Sequence, residues 1–285
     1  MMSMVKLQLH PRTGLRRSAL VILGVVLGLV LPGGANAQTL RVGGTGAAAR
    51  MMKTLGEAFS AATPGVRLDI VPSLGSSGGI AAVRDGALDL AASSRELKPE
   101  EAAASLRAMH FATSPFGLVS SNSAPGDIKS ADIAGFYASA ASTWPDESPV
   151  RVILRPRSES DSTLLGATFP GMVAAIATMR EHRDIPVAAT DQDNFRMAER
   201  IDGSLVAASL TQVLMEKPRL RFVAIDGVAP SLEDLARGSY PYGKKFYLIR
   251  SARQNPTVDR FVEFLRSPAG ERLLWQTGNL TVAHE

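Results

Sequence analysis

The sequence predicts an α/β fold in which helices cover both faces of mixed, mainly parallel sheets. Short segments rich in β-branched residues alternate with longer helical patterns from residue 39 to residue 265. Strands that alternate with helices in this way favour parallel sheets with helices on both faces. No Pro-, Gly- or Ser-rich linker interrupts the pattern. The length suits one large domain or two of about 120 residues. Two lobes without such a linker would have to be joined by strands, and that arrangement suggests a hinge.

The first 37 residues have the composition of a secretory signal peptide. Four basic residues precede an apolar stretch at 19–31, and Ala35-Asn36-Ala37 follows it. A basic segment, an apolar segment and a small-x-small cleavage site together define such a signal. The apolar stretch is shorter than the roughly 20 residues that a membrane-spanning helix needs. We therefore expect export to the periplasm and a mature chain of residues 38–285.

Composition excludes several classes of function. The chain has 31 Lys and Arg against 27 Asp and Glu, and four of the cations lie in the predicted signal, so the mature chain has 27 of each. A balanced charge gives no support to a nucleic-acid partner. The absence of cysteine excludes disulfides, thiolate metal sites and a cysteine nucleophile. No two histidines have helical spacing, and we expect neither a metal nor a cofactor.

Local patterns place the elements of the first part of the chain. Residues 66–71 alternate with period two, which is typical of a half-buried strand. Pro99 is a favoured first-turn residue and predicts the start of a helix. On such grounds we expect strands at 39–43, 66–71, 88–92 and 116–120, and helices at 47–62, 78–84, from Pro99 onward and at 128–137.

The second part of the chain has the same character, and Asp191-Gln192-Asp193 is typical of a helix start. We expect strands at 150–154, 205–207, 222–225 and 246–249, and helices at 162–169, 172–180 and 258–265.

Three polar segments each lie between a predicted strand and a predicted helix, at 43–46 (GGTG), 75–79 (GSSGG) and 157–163 (RSESDST). In an open α/β sheet, such junctions meet at the carboxyl ends of the strands, where ligands bind. Helix N-termini there present unpaired N–H groups and a partial positive charge. The three segments therefore predict an anion site. The alternative is that their Ser, Thr and Asp residues only cap helices.

Two of these segments also fit enzyme patterns. Gly44-x-Gly46-x-x-Ala49, with Asp69 further on, matches a dinucleotide fingerprint, but nicotinamide cofactors are not expected outside the cytoplasm. The segment 75–79 fits the nucleophile elbow G-x-S-x-G. A secreted serine hydrolase that uses Ser77 is therefore the rival interpretation, with His110 as the best-placed base.

The segments LGSSGGI at 74–80 and LDLAASS at 88–94 resemble those of the periplasmic phosphate-binding proteins of ABC transporters. The resemblance covers nearly all of residues 39–280 and implies the two-lobed type 2 solute-binding fold, with a ligand cleft between the lobes. We then expect the first lobe to comprise residues 38–117 and 243–285, and the second lobe to comprise residues 118–242. It implies binding of phosphate or a similar oxyanion without catalysis, a monomer, and an ABC transporter permease in the inner membrane as partner. The alternatives are a divergent member that binds another oxyanion and a sensory or scaffold protein without transport.

The resemblance also implies which residues contact the ligand, with hydroxyls and backbone N–H groups as donors and one arginine as the charged contact. These residues are Thr45, Gly46, Ser76, Ser77, Ser94, Arg157, Asp161, Ser162 and Thr163.

Two positions depart from the family. Ser94 stands where the family usually has an aspartate that accepts the proton of the ligand, and Asp161 stands where the family has a serine. A carboxylate only accepts hydrogen bonds, so it distinguishes protonated phosphate from sulfate. Our hypothesis is that Asp161 takes over this role. The alternatives are that Asp161 only caps its helix or pairs with Arg157.

Overall fold

The computed structural model describes residues 38–72 and 74–282. The predicted signal peptide at 1–37 lies outside the described residues. Within the described residues, none of the helices combines the length and the apolar character that crossing a membrane requires.

The strands of the described chain form one mixed nine-stranded sheet and one two-stranded sheet. They are β1 (Gln38–Gly44), β2 (Val66–Ile70), β3 (Leu90–Ser93), β4 (Leu106–Ser120), β5 (Asp127–Ile128), β6 (Arg151–Val152), β7 (Ser204–Ser209), β8 (Arg221–Phe222), β9 (Ala224–Ile225), β10 (Gly243–Ser251) and β11 (Leu280–Thr281). The large sheet has the order β2-β1-β3-β10-β4-β7-β6, and β8 and β11 also pair with β4. The two-stranded sheet pairs β5 with β9.

Helices connect most of these strands, and one 3-10 turn lies at Ser130–Asp132. The helices are α1 (Gly46–Ala62), α2 (Gly75–Arg84), α3 (Pro99–Ala103), α4 (Ile133–Ala138), α5 (Ser160–Thr168), α6 (Met172–Met179), α7 (Asp191–Arg200), α8 (Leu210–Glu216), α9 (Leu232–Arg237), α10 (Pro256–Arg266) and α11 (Pro268–Gln276). The mixed α/β architecture is confirmed, and so is the helix start at Asp191. The helix predicted at 78–84 begins earlier, at Gly75, so the glycine-serine segment is itself helical.

The long strand β4 runs through both parts of the large sheet. Its residues 106–115 pair with β10, and its residues 116–120 pair with β7. We call β2, β1, β3, β10 and residues 106–115 the first half-sheet, and residues 116–120, β7, β6 and β8 the second half-sheet. The sequence predicted only residues 116–120 of this strand.

Each half-sheet has its own apolar core. Phe59 on α1 packs edge-on against Phe261 on α10, with ring centroids 5.2 Å apart, beside the first half-sheet. Trp144 and Phe169 lie in the core beside the second half-sheet. The Trp144 indole N–H donates to the Gly203 carbonyl at 3.0 Å, which satisfies its only polar group.

Helix α2 lies against β1 where two glycines meet. A Cβ added at Gly79 would lie 2.6 Å from the Gly44 Cα, whereas a Cβ at Gly78 would meet only the Leu74 Cβ at 3.5 Å. Two glycines therefore let the start of α2 approach the end of β1.

We predict that Gly79→Ala lowers the free energy of unfolding by about 1–3 kcal/mol, because the added methyl overpacks this contact. Gly78→Ala is the matched control on the same helix and should raise stability by about 0.5–1 kcal/mol, because alanine favours the helix. Urea denaturation of both variants measures the difference. Equal changes in the free energy of unfolding of the two variants would contradict the close contact between Gly79 and Gly44.

Candidate functional site

Two groups of residues meet between the half-sheets, and we call their contact the seam. One group comprises residues 45–46 between β1 and α1, residues 75–76 at the start of α2, and residue 94 directly after β3. The other comprises 159–161 and 191–192, at the starts of α5 and α7. The Gln192 Nε2 donates to the Gly46 carbonyl at 3.3 Å across the seam. The seam therefore joins three of the strand–helix junctions that the sequence singled out.

A chain of hydroxyls crosses the seam. The Ser76 Oγ accepts from the Ser94 N–H at 3.0 Å and lies 3.2 Å from the Ser94 Oγ. The Ser94 Oγ in turn lies 2.6 Å from the Ser160 Oγ of α5. Ser76 and Ser94 were predicted as site residues, whereas Ser160 was not.

Asp161 forms an ion pair with Lys244 of β10. The two residues are 3% and 0% exposed, and the Lys244 ammonium lies 5.9 Å from the ring centroids of Phe116 and Phe246. Among the described residues, the Asp161 side chain accepts a hydrogen bond only from Lys244, so its partner is Lys244 rather than Arg157 or a helix N–H. A cation and an anion from distant parts of the chain are thus buried together.

Arg155 supplies the second buried cation of the seam and is 4% exposed. Its Nη2 lies 3.2 Å from the Glu159 Oε2 and 3.7 Å from the Asp191 Oδ1. Its Nη1 donates to the Ala188 carbonyl at 2.9 Å. Its Nε has no hydrogen-bond partner among the described residues. Because buried N–H groups are nearly always paired, an orphaned guanidinium donor needs an explanation.

Two carboxylates lie against the helix starts on the other side of the seam. A Cβ at Gly46 would lie 2.7 Å from the Asp191 Oδ2, and a Cβ at Gly75 would lie 3.4 Å from the Glu159 Oε1. Burial raises the pKa of Asp191, and the Asp161 carboxylate adds to the rise, while Lys244, Arg155 and the Ala47 N–H oppose it. Burial likewise raises the pKa of Glu159, against the attraction of Arg155.

The predicted site residues therefore fall into two sets. Thr45 is buried at the start of α1, and its N–H donates to the Ala92 carbonyl at 2.8 Å. The residues that the structure brings to the seam are Thr45, Gly46, Ser76, Ser94 and Asp161.

The other four predicted residues face away from these contacts. Ser77 is exposed, and its Oγ accepts from Arg95 at 3.1 Å. Arg157, Ser162 and Thr163 line a surface cavity of about 480 Å³ between α5 and α6, together with Arg180. Arg157 and Thr163 are exposed. The arginine that enters the seam is Arg155, two residues earlier.

The hydrolase interpretation finds no paired nucleophile and base. The His110 Nε2 lies 2.9 Å from the Thr113 Oγ1 and 3.1 Å from the Ala112 carbonyl, while the Ser77 Oγ bonds to Arg95. Nucleophilic catalysis needs the nucleophile and its base within hydrogen-bond reach. In the described part of the chain, no cluster of three or more His, Cys, Asp or Glu could hold a metal ion.

A family model and solved structures place the fold. Residues 31–269 match the model of the PBP superfamily domain, and the chain belongs to this family. A Clostridium perfringens chain, described as a phosphate ABC transporter substrate-binding protein with bound phosphate, has a TM-score of 0.76 at 19% identity, over 86% of this chain and 100% of that one. An ABC-type phosphate transport receptor from Vibrio cholerae has a TM-score of 0.61 at 18% identity, over 86% and 100%.

A third structure shows that the fold is not confined to transport receptors. The regulatory domain of CcmR from Synechocystis, in complex with 2-PG, has a TM-score of 0.54 at 13% identity, over 80% of this chain and 95% of that one. No curated protein sequence matches the chain. The predicted type 2 solute-binding fold is confirmed.

Proposed function

We propose that this protein is a periplasmic solute-binding protein that holds a small oxyanion, phosphate first, in the seam and delivers it to an ABC transporter permease. The observation that carries the proposal is Arg155, a buried guanidinium whose Nε–H has no partner among the described residues. Arg155 contacts Asp191 and Glu159. These two carboxylates lie against the starts of α1 and α2.

The surroundings of Arg155 have the chemistry that an oxyanion needs. The starts of α1 and α2 supply backbone N–H groups and positive dipole ends. The hydroxyls of Ser76, Ser94 and Ser160 can donate to an oxygen in the same place. An arginine can add charge-assisted bonds that are roughly twice as strong as neutral ones.

The Glu159 carboxylate favours phosphate over sulfate. It lies against the start of α2, which would face the ligand, and an ionised carboxylate can only accept hydrogen bonds. Protonated phosphate can donate to such a group, whereas sulfate has no proton to donate. The phosphate bound to the Clostridium perfringens protein supports the same choice.

We further propose that the two half-sheets belong to two lobes with the predicted bounds, 38–117 with 243–285 and 118–242. Strand β4 passes between the half-sheets at residues 115–116, and β10 begins at Gly243. Two crossings of this kind can serve as a hinge, and closure of the lobes on the ligand would be the state that a permease recognises.

The test is titration calorimetry of residues 38–285, freed of ligand by unfolding and refolding, against phosphate and then sulfate. We expect phosphate to bind and sulfate to bind more weakly. Failure of the wild-type chain to bind any oxyanion would overturn the proposed function and favour a sensory or scaffold protein.

A further inference from the structure

Asp191 contacts the start of α1 from across the seam. Its Oδ2 would lie 2.7 Å from a Cβ at Gly46, the first residue of α1. The residue is only 5% exposed. The first N–H groups of an α-helix have no partner within the helix and attract anions. The Asp191 carboxylate therefore already lies where an external oxyanion would contact α1.

We infer that Asp191 is a built-in competitor of the ligand: its carboxylate occupies the start of α1, so an oxyanion reaches the N–H groups there only when that carboxylate is displaced or neutralised. The inference rests on the proposed function, because it names the residue that limits the affinity of that same site.

The charges around Asp191 explain why competition matters. The seam holds two cations, Arg155 and Lys244, and three acids, Glu159, Asp161 and Asp191. With all five groups ionised, the acids outnumber the cations by one. A further anion would add to this excess in a buried place, where like charges repel strongly.

Glu159 is a weaker candidate for the same role. Its carboxylate lies farther from its helix start than that of Asp191, because a Cβ on the facing glycine would be 3.4 Å from Glu159 but 2.7 Å from Asp191. Its side chain is also 22% exposed, whereas that of Asp191 is 7% exposed. Water can therefore compensate a displaced Glu159 more easily, and the competition centres on Asp191.

The experiment measures phosphate affinity by calorimetry at pH 8 for the wild-type chain and for Asp191→Ala, Asp191→Asn and Glu181→Gln. Ala removes both the charge and the occupying group, whereas Asn removes only the charge and keeps the shape. Glu181→Gln is the matched control, because it removes one negative charge at an exposed position that follows α6.

We expect Asp191→Ala to bind phosphate about tenfold to a hundredfold more tightly than the wild type, since hydrogen bonds to charged groups are worth that much. Asp191→Asn should give a smaller gain in phosphate affinity, and the affinity of Glu181→Gln should stay within about threefold of the wild type. Because Asn preserves the size of the side chain, it keeps the test valid if the Ala variant fails to fold.

The outcomes separate the two proposals. If the wild type and both Asp191 variants bind equally, or the variants bind more weakly, the competitor role is wrong and the proposed function stands. If only the Asp191 variants bind, the competitor role holds and the wild type is not a phosphate receptor at this pH. If none of the four proteins binds phosphate, both proposals fail.

A second measurement uses the ionisation of Asp191. The charged or titratable groups that face it are Arg155, Glu159, Asp161, Glu216 and Lys244. Because burial raises the pKa of Asp191, its carboxylate takes up a proton at a higher pH than an exposed aspartate would, and the neutral group competes less strongly for the start of α1. Sulfate, which keeps its charge between pH 5 and pH 8, should bind the wild type more tightly at pH 5. The gain should be smaller in Asp191→Ala, and an equal gain in both proteins would contradict the assignment to Asp191.

Discussion

Replacing Lys244 with methionine should lower the free energy of unfolding by about 3–5 kcal/mol, because it leaves a buried carboxylate without its counterion. Lys244 is 0% exposed, and its only ionic partner among the described residues is Asp161, itself 3% exposed. Burying an unpaired carboxylate is costly in an apolar setting. The loss would be a large share of the roughly 5–15 kcal/mol that stabilises a typical domain.

Urea denaturation with Lys245→Met as the control tests this expectation. Lys245 is the next residue of β10 and is exposed, so its replacement should change stability by less than about 0.5 kcal/mol. The double variant Lys244→Met/Asp161→Asn should recover part of the loss, because it removes both charges. A loss below about 1 kcal/mol in Lys244→Met would show that the ion pair does not matter to the fold.

Replacing Arg155 with methionine should weaken phosphate binding by about tenfold to a hundredfold, because the charge-assisted hydrogen bond that its unpartnered Nε–H would donate is worth about 1.5–3 kcal/mol. Arg157→Met is the control, since Arg157 is exposed on the surface cavity beside α6. The control should stay within about threefold of the wild type. Arg155→Lys keeps the charge but loses the planar guanidinium group. Its phosphate affinity should lie between those of Arg155→Met and Arg157→Met.

Because Arg155 also donates to the Ala188 carbonyl, the stability of each variant must be measured beside its affinity. A stably folded Arg155→Met chain that binds phosphate normally would contradict the proposed site. If Arg157→Met lost more phosphate affinity than Arg155→Met, phosphate would bind in the surface cavity and not in the seam.

The sequence predicted the elements well where the apolar pattern was long. The helix expected at 47–62 is α1, Gly46–Ala62, and the strand expected at 66–71 is β2, Val66–Ile70. Short or weakly patterned elements were missed, among them α8, α9 and α11. Helix α8 follows β7 without a break, so no turn residue marks the boundary between strand and helix.

The site could be predicted as a set of junctions but not as a set of contacts. The polar segments at the starts of α1, α2 and α5 do meet at the seam. The choice of arginine depended on the irregular backbone before α5, where Arg155 turns inward and Arg157 turns outward. Charged residues are rarely buried unless they are paired, and a single sequence does not show which residues pair.

Lys244 illustrates the same difficulty. It lies in β10 two residues before Phe246, and both side chains are fully buried. A charged residue on the apolar face of a strand was therefore a sign of a buried partner. The partner, Asp161, lies 83 residues away in the sequence, and only the folded chain brings the two together.

Binding of the oxyanion in the seam can be observed directly by a phosphate titration followed by two-dimensional ¹H–¹⁵N NMR. We expect the largest chemical-shift changes at the Ala47 and Ser76 amides and at the Arg155 Nε–H. Changes confined to Arg157, Thr163 and Arg180, or no saturable change, would contradict the claim and show that the seam is not the binding site.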